Sequence, residues 1–393
     1  MNSFIYYTPV KIYFGQYLTE LGKEAALYGR RVLLVSGRAS VRKSGLYDRI
    51  LDILQEADLE VFELPCVKAN PEIDLVRKGG ELCKTNEIDL VIGVGGGSVM
   101  DTAKWIAASA FADFDPWRFF SRGKQVTKAL PVITVPTTAA TGSETNASGV
   151  ISNSATKDKL GRSASAILPK AAFLDPENTF CVDAFQTACG AADMFSHILE
   201  TYFSRDAGLF MLDTMMEGML KTIVRYSAAA VEKPDDYEAR ANLMWTAGWA
   251  INGLIGSGKQ QVWSCHPIEH ELSAFYDMTH GLGLAVLMPK WMKYVLNEST
   301  AERFRRFGCQ VFGVSEDIPV MDAARQGILR TEDFLYRELA LPSLFSEDEV
   351  HRQDFEMIAK KAVWNGNLKN AYQSLQEEDV IAVLNACMQE DNV

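Results

Sequence analysis

The feature that most restricts how this chain can fold is the alternation, through its first half, of short β-branched runs with stretches of helical period. Parallel strands need long crossover connections, so this pattern points to a parallel sheet with helices packed on its faces. Arg31-Val32-Leu33-Leu34-Val35-Ser36 reads as a buried strand ended by Gly37, and a helix carrying Leu46, Ile50, Ile53 and Leu54 follows. A second strand spans residues 59–64, where Pro65 should stop it. A helix opened by Pro71, with Ile73, Val76 and Leu82 on one face, leads to Leu90-Val91-Ile92-Gly93 and then to Gly95-Gly96-Gly97-Ser98. Pro131-Val132-Ile133-Thr134-Val135-Pro136 is a further strand. After Asp175-Pro176 the β-branched runs thin out, and Ala, Met, Leu and Glu recur at helical spacing. The expected fold is an α/β domain over residues 1–180 followed by an all-α domain over 181–393.

Charge narrows the partners. The 393 residues carry 51 Asp+Glu against 39 Lys+Arg, a formal net charge of -12, and such a field repels nucleic acid and anionic lipid. No apolar run is long enough to cross a bilayer and the start lacks a basic, then apolar, leader, so a cytoplasmic protein is expected. The seven cysteines are scattered with no CxxC pair, which suggests packing residues or free thiols and neither a disulfide framework nor a thiolate zinc site.

The run Gly93-Val94-Gly95-Gly96-Gly97-Ser98 puts bare backbone at the mouth of a helix, where N–H groups and the helix dipole attract an anion such as a phosphate. It matches neither the standard dinucleotide fingerprint, since Ser stands sixth, nor a Walker loop. The next strand leads into Thr137, Thr138, Thr141 and Ser143, a hydroxyl-rich loop expected to line the same crevice at the carboxyl end of the sheet.

Four of the five histidines fall in two short segments of the second half. Asp193 and His197 are four apart, on one helix face; His266 and His270 are also four apart, with Pro267 suited to a first turn, and His280 follows. An aspartate with three imidazoles suits a catalytic Fe2+ or Zn2+ site, though spacing does not say which three. Cys265 is read as packing, because its neighbour His266 cannot share its direction.

Taken in order, Gly95-Gly96-Gly97-Ser98-Val99-Met100-Asp101-Thr102-Ala103-Lys104, Pro136-Thr137-Thr138 with Thr141-Gly142-Ser143-Glu144, Asp193 with His197, and His266-Pro267-Ile268-Glu269-His270 through His280-Gly281-Leu282-Gly283 resemble the iron-dependent (group III) alcohol dehydrogenases, whose fold is like that of dehydroquinate synthase. The resemblance implies a dinucleotide-binding first domain and a metal-binding second one. It implies Asp193, His197, His266 and His280 as metal ligands, and Gly95, Gly96, Gly97, Ser98, Thr137, Thr138, Thr141 and Lys159 as cofactor contacts. It puts Asp101 near the nicotinamide and His270 in the substrate pocket, the two catalytic candidates. A homodimer through the apolar start Phe4-Ile5-Tyr6-Tyr7 is also implied.

Family members preferring NAD place an Asp directly after the first strand of the nucleotide domain; here Gly37 stands there, followed by Arg38, Ala39, Ser40, Arg42 and Lys43. Donors and positive charge without a carboxylate favour NADP(H) over NAD(H), as in the NADPH-dependent butanol dehydrogenase and aldehyde reductase branch. The expected reaction is hydride transfer between NADP(H) and a primary alcohol or aldehyde, with the ion as Lewis acid. The alternatives are an NAD-dependent glycerol dehydrogenase, a dehydroquinate synthase-like enzyme, and a metal-dependent hydrolase without redox cofactor.

Overall fold

The computed structural model describes residues 2–37, 40–121 and 123–389. Its strands are β1 (Lys11–Phe14), β2 (Arg31–Gly37), β3 (Glu60–Val67), β4 (Leu90–Gly95), β5 (Val132–Pro136), β6 (Ser148–Asn153), β7 (Asp158–Ser163) and β8 (Ala171–Leu174). The helices are α1 (Leu21–Ala26), α2 (Ser40–Lys43), α3 (Leu46–Glu56), α4 (Ile73–Thr85), α5 (Gly97–Ser109), α6 (Ala184–Tyr202), α7 (Phe210–Glu232), α8 (Tyr237–Ile251), α9 (Cys265–Tyr276), α10 (His280–Val295), α11 (Ala301–Phe312), α12 (Val320–Glu332), α13 (Phe355–Gly366) and α14 (Glu377–Ala386).

Contacts divide the chain into two compact units. The first holds Tyr7–Val182 and Pro234–Asn252; the second holds the residues up to Tyr6, Asp183–Lys233 and Gly253 onward. Helix α8, which the sequence pattern groups with the helical half, therefore belongs to the sheet unit, where Thr145 Oγ1 donates to the Gly248 carbonyl at 3.2 Å.

In the first unit a parallel sheet runs β1-β8-β5-β4-β2-β3, and β6 and β7 form a separate antiparallel pair. Alternate side chains serve opposite faces, as strand geometry requires. Val32, Leu34, Leu90, Ile92, Val94 and Ile133 pack with Leu46, Tyr47, Ile50 and Leu54 of α3. Leu33, Val35, Val91 and Val132 pack instead with Ile73, Val76 and Cys83 of α4 and Ala103, Ile106 and Ala107 of α5. With both faces covered, the central strands have no polar alternation, which explains their continuous apolar sequence.

One local expectation is corrected. Strand β3 continues through Pro65 to Val67, because it is the edge strand and one of its sides needs no ladder hydrogen bond. The first strand, β1, begins at Lys11, and Phe4, Ile5 and Tyr7 before it are exposed. The second unit is helical among its described residues, and no described helix is long and apolar enough to cross a membrane.

Candidate metal centre and dinucleotide turn

The second unit's helices bring together the four side chains that the resemblance implies as ligands. On α6, Asp193 and His197 lie one turn apart; His266 opens α9 and His280 is the first residue of α10. Close approach of α10 to α6 depends on Gly281, whose added Cβ would fall 2.0 Å from the Cys189 carbonyl oxygen. No other residue admits this contact without movement.

One carboxylate oxygen is the focus. Asp193 Oδ1 lies 3.4 Å from His197 Nε2, 3.6 Å from His266 Nε2 and 3.5 Å from His280 Nε2. Ligands about 2.0–2.2 Å from a tetrahedral ion stand roughly 3.3–3.6 Å apart, so each imidazole lies at ligand spacing from Asp193. Asp193, His266 and His280 offer ligand atoms that all lie within 4.8 Å of one another, a set that does not include His197, which approaches Asp193 from its own helix. Asp193 Oδ1 and His266 Nε2 are buried with no hydrogen-bond partner among the described residues, a cost that a bound cation removes.

The outward nitrogens are held by two carboxylates. His266 Nδ1 lies 2.5 Å from Glu200 Oε1, and His280 Nδ1 bonds Glu269 Oε2. With those protons on Nδ1, the Nε2 lone pairs point at an anionic oxygen, an arrangement that calls for a cation. Glu200 is itself fixed: Ser196 Oγ donates to Oε1 at 2.9 Å, and the N–H groups of Ser264 and Cys265 donate to Oε2 at 2.5 and 2.6 Å. Ser273 donates to Glu269.

The charges follow from this frame. Burial would raise Asp193, but the imidazoles of His197, His280 and His266 outweigh it and hold the carboxyl well below the usual carboxylate range. Burial pushes His197 down to about 4. Burial also works against charge on His266, yet Glu200 and Asp193 push it up to about 9. His270, half-buried one turn after His266, has its ring 5.5 Å from that of His280 and 6.1 Å from that of His266. Cys265 is buried and packs, as expected; burial pushes its thiol well up.

In the first unit, the turn after β4 leads into α5, whose N-cap Gly96 is extended and gives no side-chain cap. Its first-turn N–H groups are therefore not capped by a side chain, which fits a phosphate. The loop after β5 closes on this turn: a Cβ on Gly97 would fall 2.3 Å from Thr141 Oγ1, and one on Gly96 would lie 3.3 Å from Thr138 Oγ1. Gly95 ends β4, Ser98 lies in the first turn of α5, and Thr137 donates its N–H to the Gly95 carbonyl at 2.9 Å. Lys159 is buried on β7 opposite Ser152, not in a solvated loop.

Asp101 Oδ1 accepts from Ser143 Oγ and its Oδ2 from the Val150 N–H at 2.8 Å, so the carboxylate ties α5 to the 143–150 segment. The buried Lys104 ammonium joins it, 3.7 Å from Asp101 and donating to the Ser143 carbonyl at 2.9 Å and Asn146 Oδ1 at 3.1 Å. Burial pushes Lys104 down to about 8 and Glu144 up to about 7.

The expectation of a carboxylate-free segment after β2 is also corrected. Glu63 of β3 reaches Arg42, accepting from Nη2 at 3.1 Å, and the Tyr47 hydroxyl donates to the same oxygen. Gly37 ends β2, while Arg38 and the side chain of Ser40 lie outside the described residues. Sequence reasoning missed Glu63, Glu200 and Glu269. For the last two a signal existed, since each stands three residues after a candidate ligand on the same helix, His197 and His266.

Comparison with known proteins accounts for both halves. Residues 9–176 match the model of the iron-containing alcohol dehydrogenases, and residues 187–388 match the C-terminal region of the Fe-containing alcohol dehydrogenase family. The chain is 43% identical to NADH-dependent butanol dehydrogenase A of Clostridium acetobutylicum, over 98% of this chain and 99% of that protein. It is 33% identical to the NADPH-dependent aldehyde reductase YqhD of Escherichia coli, over 93% and 94%. Among solved structures, NADH-dependent butanol dehydrogenase A of Thermotoga maritima superposes with a TM-score of 0.93 at 37% identity, covering 99% of both chains. With an α/β unit carrying a glycine turn, a helical unit carrying a cluster of one aspartate and three histidines, and matches over nearly its whole length, the chain belongs to the iron-containing alcohol dehydrogenase family.

Proposed function

We propose that this chain is a metal-dependent aldehyde reductase and alcohol dehydrogenase acting on primary alcohols and aldehydes with a nicotinamide dinucleotide. The observation that carries the reading is the approach of three imidazole Nε2 atoms to one buried aspartate oxygen, each at 3.4–3.6 Å from it. When bound, Fe2+ or Zn2+ supplies Lewis acidity toward the substrate oxygen and the dinucleotide supplies or accepts hydride.

The chain's own residues hold and orient. Asp193, His197, His266 and His280 would hold the ion; Glu200 and Glu269 keep the Nδ1 protons in place and so present Nε2. His270 is the imidazole that would pass the proton to or from the substrate oxygen, being half-buried beside His266 and His280. The turn at Gly95, Gly96, Gly97 and Ser98 would receive the pyrophosphate, and Thr137, Thr138 and Thr141 would flank it. Lys159, buried on β7, would contact the dinucleotide through its ammonium.

The expectation of NADP(H) rested on basic residues without a nearby carboxylate. Arg42 is paired with Glu63, which weighs toward NAD(H), and so does the name of the relative at 43% identity; the relative at 33% is named for NADPH. The exposed Phe4, Ile5 and Tyr7 support a homodimer in which a second copy covers this start.

The test is oxidation of NADH and NADPH by the Fe2+- or Zn2+-loaded protein with butanal and a short aldehyde panel. Metal-dependent oxidation is expected. Failure of every aldehyde with both dinucleotides would overturn the reading.

A further inference from the structure

The ends of β2 and β4 run side by side, with Ser36 opposite Val94, so the end of β2 borders the strand that leads into the glycine turn. In open parallel sheets the ribose of a dinucleotide lies by the end of the strand next to the phosphate turn, where a carboxylate accepts from a free 2′-hydroxyl and a guanidinium donates to a 2′-phosphate. Here β2 ends in Gly37 and offers neither group itself. Among the described residues, both come from neighbouring elements instead.

Arg42 of α2 stacks over the ring of Tyr47, 3.8 Å from guanidinium carbon to ring centroid, and donates to Glu63 Oε2 at 3.1 Å. Tyr47 is fully buried and its hydroxyl donates to the same carboxylate, so Glu63 is pinned from two sides. The Arg42 and Glu63 side chains are each 45% exposed, which leaves the pair open to a ligand. Pairs this exposed contribute little to folding, so the arrangement is not explained by stability.

We propose that Glu63, acting with Arg42, sets the choice between dinucleotides. A 2′-phosphate brings nearly two negative charges beside a fixed carboxylate, and the guanidinium that would receive it is already neutralised. A free 2′-hydroxyl carries no such cost and can donate to Glu63. NADH is thereby taken over NADPH. The inference rests on the dinucleotide reading above.

Binding of adenosine 2′,5′-bisphosphate and of AMP to the metal-free protein, followed by isothermal titration calorimetry, tests this without turnover. Wild type should bind the bisphosphate no more tightly than AMP. Glu63→Gln should shift the affinity ratio toward the bisphosphate by about tenfold, and Arg42→Ala should shift it the other way by a similar factor. The NADPH to NADH ratio of kcat/KM should follow in the loaded enzyme. A purely structural role would weaken both ligands in both variants. A ratio that stays fixed, or moves in one direction in both, overturns the inference. If wild type binds NADH and the ratio does not respond, only this inference fails; if it binds no adenine nucleotide at all, the cofactor reading fails with it.

Discussion

Glu200→Gln tests how the imidazoles are held. The substitution keeps size and shape but replaces one carboxylate oxygen with an NH2 group. The partners of Glu200 are donors or must act as donors: Ser196 Oγ and His266 Nδ1 at Oε1, and the N–H groups of Ser264, Cys265 and His266 at Oε2. Whichever way the amide turns, a donor meets a donor. If it faces α9, the start of that helix must shift. If it faces His266, the ring moves its proton to Nε2, the nitrogen 3.6 Å from Asp193 Oδ1, and that proton competes with the ion. Losing such an outer partner typically costs about 10–100-fold in metal affinity. That is about 1.4–2.7 kcal/mol. A Zn2+ titration against a competing chelator measures it, with circular dichroism to verify folding. Ser196→Ala, which removes one donor and creates no conflict, should cost less than about threefold. A folded Glu200→Gln protein with affinity within about twofold of wild type would refute the reasoning.

Gly281→Ala should destabilise the protein by about 1–3 kcal/mol in urea and weaken Zn2+ binding, because the new Cβ meets the Cys189 carbonyl and drives His280 away from Asp193. Gly97→Ala should weaken NADH binding by about tenfold or more, followed by nucleotide fluorescence, since its Cβ would occupy the position of Thr141 Oγ1. Glu144 gives a pH dependence. Its folded pKa of about 7 exceeds the ordinary 4.5, so the folded state binds the extra proton, and the contribution present below pH 4.5 is lost as pH rises to about 7. Relative to wild type, Glu144→Gln should gain stability across that window by at most about 3 kcal/mol in denaturant titrations, whereas a pH-independent difference would contradict the assignment.

The central strands were legible because burial on both faces leaves a continuous apolar record in the sequence. The β6–β7 pair was not: Asp158–Ser163 has no apolar alternation and forms through its ladder with Ser148–Asn153. A helical period shows that α8 is a helix, but not that it joins the sheet unit, since the pattern names a face and not its partner. At the metal centre, spacing marked Asp193 and four histidines as a candidate ligand pool, and the family resemblance, not the spacing, implied His197, His266 and His280 over His270. Glu200 and Glu269 each stand three residues after a candidate ligand, but an acidic residue on a helix usually faces solvent, and burial is what marks these two as partners of the imidazoles. Glu63 was hidden for a different reason. No carboxylate directly follows β2 in the sequence; this one arrives from the adjacent strand.

The most direct measurement is NADH oxidation with butanal plotted against bound Fe2+ or Zn2+, for wild type and Asp193→Ala. Turnover should rise in proportion to bound ion, reach its plateau at one ion per chain, and be lost together with tight binding in the variant. Undiminished turnover in chelator-stripped wild type, or in an Asp193→Ala protein that holds no ion, would contradict the account.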